Sequence, residues 1–180
     1  MNINDLNLQA SRGAMAVITQ DPVLFSGSLR RNLDPFASHD DHHLWSALEE
    51  VQLKSVIKEL PGQLDYKLKE FGRNFSVGER QLVCLARALL QKRKIIILDE
   101  ATANVDYKTD HLIQEVIRKT FKDSTVLTIA HRLNTIMDYD KVLVIDKGQV
   151  VEFDKPENLL QNDKGYYTQL VQTHNVNTLE

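Results

Sequence analysis

Apolar residues fall along the chain in two alternating patterns. Continuous aliphatic and β-branched runs occur at 14–20 ("AMAVITQ"), 94–100 ("KIIILDE"), 124–131 ("STVLTIAH") and 141–146 ("KVLVID"), each short enough to be a strand. Between them lie stripes with helical spacing. "DDHHLWSALEEVQL" places Leu44, Ala47, Leu48 and Val51 on one side, and "VGERQLVCLARALL" does the same with Leu82, Leu85 and Leu89. A continuous run such as "KIIILDE" is expected of a parallel strand covered on both faces. The strand, helix, strand succession from 94 to 146 therefore predicts an α/β core, and the helical character from about 28 to 91 predicts an insert. Further on, "DKGQ" predicts a hairpin turn into "VVEFD", Pro156 suits a first helical position, and "GYYTQLVQTH" predicts a last helix.

Composition narrows this picture only a little. With 180 residues and 42% hydrophobic content the chain can bury one real core. A net charge of -3 and a pI near 6.1 create no broad field for nucleic acid, and no nucleic-acid partner is expected. Cys84 is the only cysteine, which excludes an internal disulfide or a cysteine metal site and fits a reducing compartment. No run approaches the roughly 20 apolar residues that cross a bilayer, and "MNINDLNLQASR" lacks the apolar stretch of a secretory signal.

Chemistry enters at the end of "KIIILDE". In a parallel α/β sheet ligands gather beyond the carboxyl ends of the strands, where Asp99 and Glu100 fall. An aspartate after an aliphatic run matches the Walker B pattern that holds Mg²⁺, and an adjacent carboxylate can orient or deprotonate water. Two acids capping the next segment in solvent would read the same way, so other motifs must decide. Upstream, Ser76 and Glu79 have the spacing of a capping box at the start of a helix. Asp106 suits the cap of the helix after it. In "SHDDHHLW", His39 and His43 are four apart with acids between, but a helix start at Asp40 and Asp41 explains the pattern more simply than a metal does.

Taken in order, these segments resemble the ATP-binding-cassette (ABC) ATPases. "NFSVGERQ" is similar to their LSGGQ signature, "ILDE" to Walker B, "ANVD" (103–106) to the D-loop, His131 of "TIAHRL" to the switch histidine and Gln20 of "VITQDPVLF" to the Q-loop glutamine. The likeness covers nearly the whole chain. The wording of "QDPVLFSGSLRRNLDPF", together with Val77 in the signature and an intact Glu100, resembles the second nucleotide-binding domain of the multidrug-resistance-associated, or C, subfamily of exporters. The resemblance implies a partial P-loop NTPase sheet with an inserted helical subdomain: a core remnant at 1–25, a helical subdomain at 26–91, and a core with Walker B, D-loop and switch histidine at 92–180. It implies ATP and Mg²⁺ as cofactors. Asp99 and Gln20 would hold the metal, Glu100 would be the base, and Gln20 and His131 would sense the γ-phosphate. Ser76, Gly78, Glu79 and Asp106 would face a nucleotide held by a partner domain. The implied partners are that second nucleotide-binding domain and transmembrane domains, at the cytoplasmic face of a membrane, with export of organic anions or drugs as the task.

One motif of the family has no counterpart. A phosphate-binding Walker A loop needs Gly-x-x-x-x-Gly-Lys before Ser or Thr, and none of the seven glycines precedes a lysine. The expectation is a nucleotide-binding domain cut from its amino-terminal part, hydrolysing ATP poorly or not at all by itself and open at the sheet edge where the Walker A strand belongs. Val77 and Glu79 depart from the family's glycine and glutamine, and both should weaken phosphate contact through bulk and charge. Two other functions compete: a non-hydrolysing module that docks on another nucleotide-binding domain, and the carboxyl-terminal lobe of a DNA-repair ATPase. The second is disfavoured because no sustained heptads separate Gln20 from Ser76.

Overall fold

A computed structural model describes residues 5, 7–101, 105–130, 133 and 136–177, with side chains as far as 173. The chain divides into two compact units, 1–129 and 130–180, each described by itself.

The first unit opens with a short helix, α1 (Leu8–Gly13), capped by Asn7, and enters β1 (Met15–Ile18). β1 pairs in parallel with β4 (Ile95–Asp99), and β4 pairs in parallel with β5 (Thr125–Ile129), giving the order β1-β4-β5. Among the described strands none pairs with the other edge of β5. Between β1 and β4 run β2 (Gly27–Ser28), α2 (Leu29–Leu33), α3 (Asp41–Glu50), α4 (Lys54–Glu59), β3 (Lys67–Leu68) and α5 (Val77–Gln91). α6 (Tyr107–Thr120) links β4 to β5, as a parallel crossover requires.

The expected helical stripes are the ones that pack. Leu44, Ala47, Leu48 and Val51 of the α3 segment are buried, as are Leu82 and Leu85 of α5, while Leu89 is half-buried. They join Ala16, Ile18, Ile96 and Leu98 from the sheet in one hydrophobic core. The helical insert also contains a feature that helical periodicity hides: β2 and β3 form a two-stranded antiparallel ribbon, Gly27 opposite Leu68. Two-residue strands are too short to show alternation.

The expectation that "KIIILDE" is covered on both faces is corrected. Ile96 and Leu98 are buried, but Ile95, on the opposite face, is exposed. That face continues through Val17 on β1 (59% exposed) and Leu127 and Ile129 on β5 (53% each). Composition could not reveal this, because aliphatic content measures what a strand is able to bury and not what the described residues bring against it.

The second unit is a hairpin with helices. β6 (Val142–Asp146) and β7 (Gln149–Asp154) are antiparallel, and the two-residue loop between them places Lys147 (φ 46°) and Gly148 (φ 78°) in the left-handed region, as a tight hairpin demands. α7 (Pro156–Leu159) begins at the expected proline, and α8 (Tyr166–Asn177) covers the expected last helix. Both carboxylate oxygens of Glu152 cap α8 by accepting from the amides of Tyr166 (3.0 Å) and Tyr167 (2.8 Å). Val142, Val144, Tyr167 and Val171 form this unit's own core.

The uncovered sheet face leads to a measurable contrast. Ile96→Ala, which empties a fully buried site, should cost about 3 kcal/mol of unfolding free energy, whereas Leu127→Ala on the open face should cost less than about 1 kcal/mol. Urea denaturation of the two variants checks this; equal losses would mean that the outer face is packed.

Candidate functional site

Parallel pairing decides which polar residues meet. Ile18 of β1 lies opposite Leu98 of β4, so Gln20 and Glu100 each follow that pair by two residues at the same end of adjacent strands. Asp99 closes β4 opposite Ile129, with its side chain on the exposed face. Glu100 then takes φ 47°, a left-handed conformation that costs a non-glycine residue of order 1 kcal/mol and is found where a fold over-determines the backbone. Its amide is held by the carbonyl of Ile129 at 3.0 Å, which anchors that turn to β5. The half-buried Glu100 carboxyl and the exposed Asp99 carboxyl thus leave the sheet beside Gln20. His131 and Ala103 lie outside the described residues.

A second group of polar residues gathers at the start of α5. Ser76 is its cap: the Ser76 hydroxyl accepts from the Glu79 amide at 3.2 Å, and the Glu79 carboxylate accepts from the Ser76 amide at 2.7 Å. The expected capping box is complete, so the charge of Glu79 is spent on the helix's own backbone. First-turn amides have no intrahelical acceptor, and the box takes only those of Ser76 and Glu79. Among the described residues no acceptor is recorded for the amides of Val77 and Gly78. Arg80 folds back, its Cδ 3.2 Å from where a Cβ on Gly72 would stand.

Gly78 has a structural reason as well. A Cβ there would come within 2.4 Å of the Thr109 Cγ2 atom on α6, so a side chain would push the two helices apart. Thr109 in turn belongs to the cap of α6. Its amide and hydroxyl donate to the two oxygens of Asp106 at 3.1 Å and 2.6 Å, and these bonds hold the Asp106 carboxyl below the ordinary aspartate range. The start of α5 and Asp106 are therefore in contact through one threonine, a link the sequence did not announce.

Two further residues of α5 tie it to the segment after β1. The side-chain amide of Gln81 donates to the carbonyl of Thr19 at 3.0 Å and to that of Gln20 at 2.9 Å. Arg87 donates to the Val23 carbonyl at 2.7 Å, to the Asn32 side-chain oxygen at 2.9 Å and to the Asn32 carbonyl. Burial pushes its guanidinium pKa down. Asn32 also brackets Phe25, accepting from its amide and donating to its carbonyl. Gln81 was legible in principle, since it is a polar residue set into the buried stripe of an amphipathic helix.

The histidine-rich stretch folds as the simpler reading expects. Asp40 caps α3, accepting from the His43 amide at 3.0 Å and lying 2.7 Å from His43 Nδ1, and its carboxyl is held low by those contacts. Asp41 pairs with Arg30, and His39 with Asp34. Among the described residues, the three ligand-type atoms that come together are those of the exposed Asp40, His42 and His43. Cys84 is free, and burial pushes its thiol up, away from reactivity.

Comparison with known proteins defines the class. The model of the ABC transporter family matches residues 1–103, and the chain belongs to that family. Human ATP-binding cassette sub-family C member 4 is 57% identical over 168 residues, which cover 93% of this chain and 13% of that protein. ABC transporter C family member 12 of Dictyostelium discoideum is 57% identical over 170 residues, 94% of this chain and 13% of that protein. The chain thus spans about an eighth of the length of these relatives, within a nucleotide-binding domain of the subfamily C kind. A bacterial Atm1-family ABC exporter solved with ATP bound superposes with a TM-score of 0.86 at 31% identity, over 95% of this chain and 30% of that one. The resemblance read from the motifs and the α/β fold class both stand.

Two outcomes test the site's packing. Gly78→Ala should destabilise the protein by about 1–3 kcal/mol through overpacking, and Thr109→Ser, which removes Cγ2 but keeps the hydroxyl, should restore most of the loss. A double-mutant cycle in urea measures the coupling. Asp106→Ala should lower the melting temperature at neutral pH. Because the folded-state pKa of Asp106 is depressed, its contribution is fully present above the unfolded value of about 3.9 and disappears as pH falls through the lower folded value. The difference from wild type in thermal melts should therefore shrink only in strong acid.

Proposed function

We propose that the chain supplies, to an exporter of the subfamily C kind, the part of an ATP-hydrolysing site that binds metal, activates water and faces the nucleotide of a second domain. The observation that carries this reading is the parallel β1–β4 pairing, which brings Gln20, Asp99 and Glu100 to one end of the sheet. The donor set there is oxygen only, two carboxylates and an amide, which suits a hard dication such as Mg²⁺. ATP as the nucleotide is supported by the related exporter solved with ATP bound.

In this proposal Asp99 and Gln20 hold Mg²⁺, which supplies charge neutralisation on the phosphates. Glu100 accepts the proton of the attacking water, its carboxyl aimed by the left-handed turn that follows β4. Gln20 and His131 report the γ-phosphate. Ser76 with the free amides of Val77 and Gly78 presents a helix N-terminus to the nucleotide of the opposing domain, where unpaired donors and the helix dipole favour an anion. Glu79 braces that helix start, and Asp106 stands beside it. The work of such residues is positioning and charge stabilisation. The division into a core remnant at 1–25, a helical subdomain at 26–91 and a core at 92–180 belongs to the same proposal. So do a second nucleotide-binding domain and transmembrane domains as partners, a place at the cytoplasmic face of a membrane, and assignment to the second nucleotide-binding position. Among the described residues no helix is long and apolar enough to cross a membrane.

The 180 residues hold no Gly-Lys pair to cradle the β- and γ-phosphates. The chain by itself is therefore proposed to be inactive or nearly so, its carboxylates waiting on a phosphate-binding loop from outside these residues. Purified chain incubated with MgATP should release no phosphate beyond what Glu100→Gln releases. Release that saturates with ATP and vanishes in Glu100→Gln would overturn the proposal.

A further inference from the structure

We propose that Gln81 is a positioning residue that makes the start of α5 and the Gln20 turn a single mechanical body. It rests on the reading of Gln20 as a nucleotide-side residue for its functional meaning, though not for its geometry. Gln81 is 2% exposed, which is rare for an unpaired amide and costly unless its hydrogen bonds are made. Both neighbours within reach are carbonyl oxygens, Thr19 at 3.0 Å and Gln20 at 2.9 Å, so the nitrogen must be the atom facing them. The two N–H groups are then satisfied together, by adjacent peptides at the point where the chain leaves β1. The remaining oxygen, Oε1, is buried and meets no donor among the described residues.

This arrangement fixes more than a contact. Two consecutive carbonyls pointing at one side-chain nitrogen cannot rotate independently, and the Cα that carries the Gln20 side chain lies between them. Gln81 sits on the turn of α5 that follows Ser76, Val77, Gly78 and Glu79. Any displacement of that helix start is transmitted to the backbone of Gln20 through a link made of rigid, hydrogen-bonded groups. The orphaned Oε1 adds a second property. An amide with one end fully bonded and the other without a donor makes all its hydrogen bonds through the nitrogen, so both are lost together when the two carbonyls turn away. The link is therefore expected to be made or broken as a unit.

Amide hydrogen exchange on the 180-residue chain, without nucleotide, tests this directly. Gln81→Met keeps the length and volume of the side chain and removes both donors. It should speed exchange in peptides spanning 19–25 by about tenfold, leaving β4 and α6 protected as in wild type. Gln81→Glu supplies one O–H donor when protonated and none when ionised, so its excess exchange at 19–25 over wild type at the same pH should grow as pH rises, while that of Gln81→Met stays flat. A residue that merely filled space would show neither the local confinement nor the pH profile. Unchanged exchange at 19–25 in Gln81→Met, a loss of protection spread evenly over β4 and α6, or a flat profile in Gln81→Glu would each overturn the proposal. Because no ATP is present, the result stands or falls separately from the phosphate-release experiment: saturable release there would overturn the proposed inactivity of the chain and leave the tether as it is.

Discussion

The packing of α5 is the interaction on which the rest of the first unit depends. Its stripe of Leu82, Val83, Leu85, Ala86, Ala88 and Leu90 is buried against β1, α2, α3 and α6. Burying that much aliphatic surface contributes several kcal/mol, enough to set the helix in place before any polar group is considered. The polar links then use the placement. Gln81 reaches the β1 exit, Arg87 reaches the segment after it, and Gly78 lets Thr109 approach. Each is a short, directional contact worth little by itself, and each would fail if the helix rotated by the 100° that separates one residue from the next.

Most of the fold was legible because it rests on period and punctuation. The α3 stripe, the α5 stripe, the hairpin at Lys147–Gly148 and the helix start at Pro156 all follow from side-chain spacing or from a fixed φ. The β2–β3 ribbon was not legible, because two residues on each strand carry no alternation. Nor was the open face of β1, β4 and β5. Ile95, Val17, Leu127 and Ile129 read as core residues in any local window, and only the absence of a covering layer among the described residues shows otherwise.

The candidate site divides along the same line. Asp99, Glu100, Gln20, Ser76 and Glu79 could be named from motif order, and the parallel register brings the first three to one end of the sheet. What motif order could not supply is the set of residues that hold them. Gln81 and Arg87 act across separations that no local pattern encodes, and their partners are mostly backbone atoms, which look the same at every position of a sequence; the approach of Thr109 to Gly78 is equally non-local. The left-handed backbone at Glu100 was equally hidden, since nothing about a glutamate announces positive φ.

The departures at the signature acquire a physical sense in this frame. In a helix that begins Ser-x-x-Glu, the carboxylate competes with any incoming anion for the same positive end, and here the carboxylate has already taken the Ser76 amide at 2.7 Å. The competition is not symmetrical. The box consumes two donors, one of which, the Ser76 amide, a glutamine at position 79 would hold less firmly, yet it leaves the Val77 and Gly78 amides aligned and the helix start rigid. A polyanion arriving at such a terminus meets one fixed negative charge and two preorganised donors, so binding is weakened by repulsion and sharpened by order. Val77 adds bulk beside those same donors, on a helix that Gly78 keeps seated against Thr109. On the proposed function, Val77 and Glu79 would thus trade affinity for a stiffer helix start, and a stiff start can pass displacement on to Gln20 through the proposed Gln81 link where a frayed one would absorb it.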